Sequence, residues 1–169
     1  MENFKEISIR SLKCNPVDIF DKKWALVTAG SGENVNTMTI SWGSIGELWG
    51  KPAAFTFIRP QRYTKQFVDN NDTYSLCFFT EDWRRQLSYL GTVSGKDENK
   101  IEKAGLTVEF IDGTPVFKEA ELIMICKKLY KQDLNGESFI DKALDSSVYP
   151  TKDYHTMYVS DIVKVFERQ

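Results

Sequence analysis

Short segments of strand-forming residues lie at both ends of this chain, and they constrain its fold more than any other feature. In the last third, "LTVEFI", "ELIMICKKLY" and "HTMYVSDIVKVF" are separated by the turn sequences "DGTP" and "NGE". In the first half, "ISIRSLK", "WALVTAG", "TMTISWG" and "AAFTFI" are of the same kind. Because strands outnumber helices, a doubly wound strand-helix alternation does not fit. The pattern predicts a β-rich fold, all-β or α+β, with a closed antiparallel sheet and peripheral helices.

Five short segments have the spacing or capping residues of helices. Thr80 can cap a helix that Gly91 closes, and Gly105 can close the next one. The five segments are "CNPVDIFDKK" from Pro16 or Asp18 onward, residues 61–71 with a start near Tyr63 or Thr64, "TEDWRRQLSYLG", "DENKIEKAG" and "FIDKALDSS".

Size and charge exclude several classes of protein. With 169 residues, the chain has the length of one domain, which we take to span residues 1–169. The formal net charge is −2, with no long block of one sign, so we expect neither a nucleic-acid partner nor binding to an anionic membrane. No run approaches the ~18 apolar residues of a membrane-spanning helix.

The cysteine and histidine content argues against a metal site and against a thiol enzyme. Cys14, Cys77 and Cys126 are far apart in sequence, and His155 is the only histidine. Three cysteines without a CxxC pair indicate a reducing compartment, so we expect a cytoplasmic protein without a metal. His155 could meet a cysteine in space, yet Cys77 and Cys126 lie in apolar strands, where buried structural cysteine is usual.

Two nucleotide-binding motifs are also missing. No GxGxxG follows a strand, and "GTVSGKD" has one residue too few between its glycines to be a phosphate loop. Asp97 stands where that loop needs a serine or threonine. The sequence therefore offers no catalytic residue of the usual kinds.

Two loops carry residues suited to an anion. Arg59, Arg62 and Thr64 lie where a strand leads into a helix, so they can hold a phosphate, although solvated arginines beside a turn would look the same. Ser94 and Lys100 can add a hydroxyl and a cation from a glycine-containing loop, which is equally typical of a simple helix start.

Residues of the alternating strand and of the last strand could meet a flat ligand. Trp42 either stacks on a ring or belongs to the core. Polar side chains at positions 37, 39 and 41 point to one side of their strand, toward water or toward the polar edge of a ligand. His155 shares a predicted strand face with Met157, Val159, Val163 and Val165, where it is either a core residue or a ligand contact.

Four segments in order, "NTMTISW", "RPQRYT", "GTVSGKDENKIEKAGL" and "DYHTMYVSDIV", resemble the flavin reductase-like family of FMN-binding split-barrel proteins. They span residues 34–163. The chain departs from the family pattern at Asn99, where relatives have aspartate, and at Ser160, where many have glycine. It lacks the carboxy-terminal signature of the pyridoxamine-phosphate oxidases, which share the barrel.

The resemblance implies a homodimeric, six-stranded antiparallel split β-barrel with FMN at the subunit boundary. One group of residues would line the isoalloxazine ring and ribityl chain, a second would follow the ribityl chain to the phosphate, a third would complete the phosphate site, and His155 would lie near the ring. In order, the three groups are Asn36, Met38, Thr39, Ile40, Ser41 and Trp42; then Arg59, Arg62, Tyr63 and Thr64; then Ser94 and Lys100.

The function implied by the resemblance is an oxidoreductase that passes electrons from NAD(P)H through FMN to a flavin, a metal complex or a protein acceptor. Because the flavin carries the electron chemistry, no acid or base from the protein is obligatory. Two alternatives remain open. One is an FMN-binding electron carrier without NAD(P)H activity of its own, and the other is a non-catalytic barrel that binds another phosphorylated aromatic ligand.

Overall fold

One antiparallel sheet of eight strands dominates the computed structural model, which describes residues 3–169. In chain order, the strands are β1 (Phe4–Ile7), β2 (Ala25–Ser31), β3 (Asn34–Ile40), β4 (Gly43–Leu48), β5 (Lys51–Ile58), β6 (Thr73–Phe78), β7 (Val108–Ile111), β8 (Thr114–Phe117), β9 (Leu122–Asp133) and β10 (Thr156–Arg168). The sheet has the order β3-β2-β6-β9-β10-β5-β4, and β1 pairs with the far end of β10. β7 and β8 form a hairpin of their own.

Short helices surround this sheet, as predicted. They are α1 (Asp18–Asp21), α2 (Thr64–Asn70), α3 (Arg84–Thr92), α4 (Lys100–Lys103) and α5 (Lys142–Val148). Two predicted caps are wrong in detail: the Thr80 side chain makes no capping hydrogen bond, and α3 continues one residue beyond Gly91. Within the described residues 3–169, no helix is long and apolar enough to cross a membrane.

The strand predictions were wrong mainly at strand ends. "ISIRSLK" is not one strand, because β1 stops at Ile7 and a 3-10 helix follows at Ile9–Ser11. The alternating strand ends at Ile40, so Ser41 and Trp42 lie in the connection to β4, a strand that we did not predict. The segment after the "DG" turn forms β8, likewise unpredicted.

Two hydrophobic clusters lie on opposite faces of the sheet. In β2, Ala25 and Val27 face the first cluster while Leu26 faces the second, as the two-residue period of a strand requires. The first cluster includes Phe67 of α2, and the second packs against Leu87 of α3 and the β7-β8 hairpin. The central strands are therefore buried on both faces, and α2 and α3 are held against the sheet near β3.

Irregularities in β10 overturn the predicted strand face of His155. The pairing of β10 with β9 shifts register between Val159 and Ser160 and again between Ile162 and Lys164. After these shifts Val163 is 45% exposed, whereas Val159 and Val165 are buried. His155 lies one residue before the strand, so it is placed by the preceding loop as well as by the sheet.

Candidate functional site

Two adjoining clefts lie where β3, the end of β5, α2 and the start of β10 meet. The first, which we call the aromatic cleft, has a volume of about 260 Å³. The second, the polar cleft, has a volume of about 160 Å³. Both are bordered by Met38 and Arg62, so the two clefts are neighbours. The aromatic cleft is further lined by Thr39, Ile40, Ser41, Trp42, Phe57, Arg59, Gly91 and His155, and the polar cleft by Gln61, Tyr63, Thr64, Thr92, Val93, Ser94, Gly95 and Lys100.

The structure thus brings the residues of the four sequence segments together. All the predicted site residues line one cleft or the other, except Asn36. Asn36 is buried directly behind the polar cleft, where its Nδ2 donates to Thr64 Oγ1 at 3.0 Å. That the predicted site residues contact a cofactor stays a prediction. The structure does show that they come together from four separate segments of the chain.

An aromatic wall forms one side of the aromatic cleft. The ring of Trp42 lies 5.1 Å from the ring of His155, centroid to centroid, with the planes tilted by 42°. Trp42 is 49% exposed, so it is not a core residue. A half-exposed indole beside an imidazole can receive a flat ring by stacking or edge contacts.

His155 is held from behind and carries no charge at neutral pH. It is buried, and its Nδ1 shares a 2.7 Å hydrogen bond with the hydroxyl of Tyr149. Burial lowers the pKa of His155 to about 4, with the positive charge of Arg59 acting in the same direction and Asp153 opposing it. The imidazole can therefore offer a neutral donor or acceptor to the cleft, but not a cation.

Arg59 borders the aromatic cleft with its charge already paired. Its guanidinium forms an ion pair with Asp153, donates to the carbonyl of Val148 at 3.0 Å and lies 5.2 Å from the centroid of the Tyr149 ring. Gln61 donates to the same carboxylate at 2.8 Å. These contacts fix the loop before β10, so Arg59 organises the site and has little free charge for an anion.

The polar cleft contains two cations that have no carboxylate partner within residues 3–169. Arg62 donates to the carbonyl of Gly91 at 2.7 Å, and Lys100 Nζ donates to the carbonyls of Leu90 and Val93, each at 2.9 Å. Burial lowers the pKa of both groups, that of Lys100 to about 8, with the charge of Arg62 contributing. The buried Lys100 and the partly buried Arg62 side by side are unfavourable alone, and an anion between them would relieve this cost.

Close packing around Asn36 shapes the floor of the polar cleft. A Cβ atom at Gly95 would lie 2.2 Å from Asn36 Oδ1, so the loop can approach β3 only with glycine at this position. Nearby, the Ser94 hydroxyl accepts from the backbone of Lys96 at 3.2 Å. The loop and the buried amide together hold the hydroxyls of Ser94 and Thr64 at the cleft.

The polar stripe of β3 divides into separate roles. Thr37 is fully buried and hydrogen-bonds to Thr28 and to the carbonyl of Val27. Thr39 donates to the carbonyl of Leu87 and so ties α3 to the strand. Ser41 is exposed beyond the end of the strand. Thr37 therefore faces neither water nor a ligand, contrary to both interpretations of the stripe.

Sequence analysis missed several residues of the site. Phe57 carried a signal, because the two-residue strand period places it on the same face as Arg59. Tyr149 and Asp153 carried none, because they come from the loop around α5 and meet His155 and Arg59 only in the folded chain. The others are the cleft residues Gln61, Gly91, Thr92, Val93 and Gly95.

The two clefts together suit a ligand with a flat ring at one end and an anion at the other. Aromatic side chains lie at the first end and cations with hydroxyls at the second, which is the distribution of groups that FMN requires. Among residues 3–169, no group of three or more His, Cys, Asp or Glu side chains could hold a metal ion.

The chain belongs to the flavin reductase-like domain family, whose pattern matches residues 18–169. Among curated protein sequences, none matches the chain significantly. The family assignment confirms the resemblance deduced from the four segments.

Solved structures confirm the split-barrel fold. An FMN-binding domain of a flavin reductase-like enzyme from Shewanella baltica OS155 superposes with a TM-score of 0.71 at 14% identity, covering 98% of this chain and 78% of that one. A flavoredoxin from Methanosarcina acetivorans gives a TM-score of 0.66 at 20% identity, with coverages of 94% and 76%. An NADH:FAD oxidoreductase from Streptomyces globisporus C-1027 gives 0.65 at 11%, with coverages of 87% and 75%.

The sheet has eight strands, whereas six were predicted for the barrel, because β4 and β1 pair with β5 and β10 as well. The β-rich, antiparallel fold class predicted from the sequence is nevertheless confirmed.

Proposed function

We propose that this protein binds FMN across the two adjoining clefts and passes electrons from NAD(P)H through it to an acceptor. The observation that carries the proposal is the contrast between the two clefts. Trp42 and His155 line the aromatic cleft, and the cations Arg62 and Lys100 line the polar cleft. Family membership supports the flavin, and relatives named as FMN-binding domains and as an NADH:FAD oxidoreductase support the chemistry.

In this proposal, each end of the site has its own task. Arg62, Lys100 and the hydroxyls of Ser94 and Thr64 would hold the phosphate. Lys100 Nζ has three hydrogens and gives two to carbonyls, so one remains for a phosphate oxygen. Asn36 would act indirectly, because its amide holds Thr64 in place.

At the ring end, the protein supplies surface and orientation rather than acid or base. Trp42 and Phe57 border the ring site with apolar surface, and His155 presents a neutral imidazole. Bound FMN would supply the redox chemistry: it can take up a hydride and pass on the two electrons one at a time or as a pair. The acceptor would be a small molecule or a protein.

The first test is the visible absorption spectrum of the protein as purified, and again after FMN addition and desalting. We expect a retained flavin spectrum. A protein that stays colourless after this treatment would overturn the proposal, and native mass spectrometry would then reveal any other phosphorylated aromatic ligand.

The second test separates an enzyme from an electron carrier. Flavoredoxins are among the structural relatives, so the carrier is the specific competitor. In stopped-flow mixing of the FMN-loaded protein with NADH and with NADPH, we expect rapid bleaching of the flavin by at least one of them. Bound flavin that neither reduces would exclude the NAD(P)H oxidoreductase and leave the carrier.

A further inference from the structure

One side chain of the aromatic cleft has its hydrogen bonding fixed from behind. Tyr149 is 3% exposed, and its hydroxyl lies 2.7 Å from His155 Nδ1. The other ring nitrogen, Nε2, has no hydrogen-bond partner within residues 3–169. It is not fully buried either. Because His155 lines the aromatic cleft and keeps 8% of its surface exposed, Nε2 is open to that cleft.

The position of the imidazole proton follows from the groups around the pair. Burial raises the pKa of the Tyr149 phenol, while the charge of Arg59 and the backbone N–H of His155 oppose the shift. The phenol therefore keeps its proton at neutral pH. Within residues 3–169, His155 Nδ1 is the one hydrogen-bond partner of the buried Tyr149 hydroxyl, so the phenol hydrogen is donated to Nδ1. A neutral imidazole that accepts at Nδ1 must carry its own proton on Nε2.

The phenol itself is held rigidly. Arg59 lies over its ring, donates to the carbonyl of Val148 beside it and pairs with Asp153 two residues before the histidine. The charged groups that face His155 are thus Arg59 and Asp153, and Arg62 is the further cation on the cleft wall. No other described titratable group hydrogen-bonds to the imidazole.

We propose that Tyr149 is a positioning residue, which keeps His155 as a hydrogen-bond donor with its Nε2–H directed into the aromatic cleft. The identity of the acceptor rests on the proposed function: with FMN bound, the donor would meet a carbonyl oxygen or an unprotonated nitrogen at the ring edge. The orientation of the donor is a property of the protein alone, so it can be tested without the cofactor.

The main test is nuclear magnetic resonance of the imidazole in the cofactor-free protein. Because the chain has a single histidine, its ring nitrogens give unambiguous signals in a long-range proton-nitrogen spectrum. We expect the proton on Nε2 in the wild type. In Tyr149→Phe we expect a mixture of the two tautomers and a higher pKa of His155, because the donor that favours the neutral ring is gone.

Tyr154→Phe is the matched control. Its ring lies 5.0 Å from that of Tyr149, but its hydroxyl donates to Asp145 at 2.7 Å, so we expect the wild-type tautomer. A wild-type proton on Nδ1, or an unchanged tautomer and pKa in Tyr149→Phe, would overturn the inference. Near-ultraviolet circular dichroism checks that both variants are folded.

A second readout uses the FMN-loaded protein. Loss of one positioning hydrogen bond should lower kcat for NAD(P)H oxidation by roughly three- to tenfold in Tyr149→Phe. His155→Gln keeps an N–H donor and should retain more activity than His155→Leu. Absence of FMN binding in every variant would refute the proposed function and leave the tautomer result standing. Equal kcat in Tyr149→Phe and wild type would refute the role of the donor.

Discussion

At the scale of single residues, Gly95 is the position where a small change should have a large effect. An alanine Cβ there would meet Asn36 Oδ1 at 2.2 Å, displacing the amide that holds Thr64. We expect Gly95→Ala to destabilise the protein by about 1–3 kcal/mol, as overpacking usually does, and to weaken FMN binding. Urea unfolding and flavin titration measure both effects. Gly46→Ala, where nothing lies within 4 Å of the added carbon, is the control and should behave as wild type. Equal stability of the two variants would mean that the loop moves freely.

Lys100 gives the site a pH dependence. In the free protein its pKa is lowered to about 8, so it loses its charge as the pH rises through that value. A bound phosphate dianion favours the charged form and raises this pKa, so binding is strongest below pH 8 and weakens above it. We expect the Kd for FMN to be up to about tenfold higher at pH 9 than at pH 7, since about a tenth of the lysine is then charged.

Two comparisons isolate the lysine in that titration. Riboflavin lacks the phosphate and should bind with little change between pH 7 and 9. Lys100→Met removes the titrating group and should flatten the FMN profile, at the cost of weaker binding throughout. A profile that keeps its slope in Lys100→Met would assign the pH dependence to another group.

At the scale of elements, the sequence predicted strands where alternation was long and failed where glycine or proline interrupted it. β2 and β9 were found because each begins with a run of apolar residues, "ALV" and "LIMIC". β4 was missed because Gly43 and Gly46 lower the strand propensity of its six residues. Its pairing with β5 holds it in place. In β8, the residue after Thr114 is proline, so tertiary pairing with β7 rather than propensity makes it a strand.

The site followed the same division between local and long-range information. Residues near one another in sequence, such as Arg62 and Thr64, could be assigned to one loop from the sequence alone. The pairing of Arg59 with Asp153, 94 positions later, depends on the arrangement of β5 beside β10 and could not. For this reason Arg59 was expected to contact the phosphate. Its contacts indicate instead a clamp that ties the end of β5 to the loop before β10.

This clamp predicts how two arginine variants should differ. Arg59→Gln should loosen the loop that carries Tyr149 and His155, so it should weaken FMN and riboflavin binding by similar factors. Arg62→Gln removes a cation that no carboxylate of the described chain pairs with. It should weaken FMN binding alone, by roughly 1.5–3 kcal/mol for a hydrogen bond to a charged group. Calorimetric titration of both ligands against both variants measures the contrast. If Arg59→Gln discriminates between the ligands as Arg62→Gln does, Arg59 contacts the phosphate after all.

At the scale of the whole molecule, the open side of the aromatic cleft bears on assembly. Trp42 at the cleft is 49% exposed and Trp49, at the turn between β4 and β5, is 60% exposed, which is unusual for the largest apolar side chain. The family resemblance implies a homodimer with FMN at the subunit boundary. A second copy of the chain over the cleft would bury Trp42 and cover the ring end of the site.

If the partner subunit completes the site, FMN retention and dimerisation should depend on protein concentration together. We expect sedimentation to give the mass of a dimer at micromolar concentration. On serial dilution, the fraction of flavin that stays bound should fall over the same range in which the dimer dissociates, because a dissociated subunit leaves one side of the ring open to water. Fluorescence of Trp42, compared with a Trp42→Phe variant, reports its burial directly. A monomer that holds FMN with undiminished affinity at every dilution would show that one chain contains the complete site.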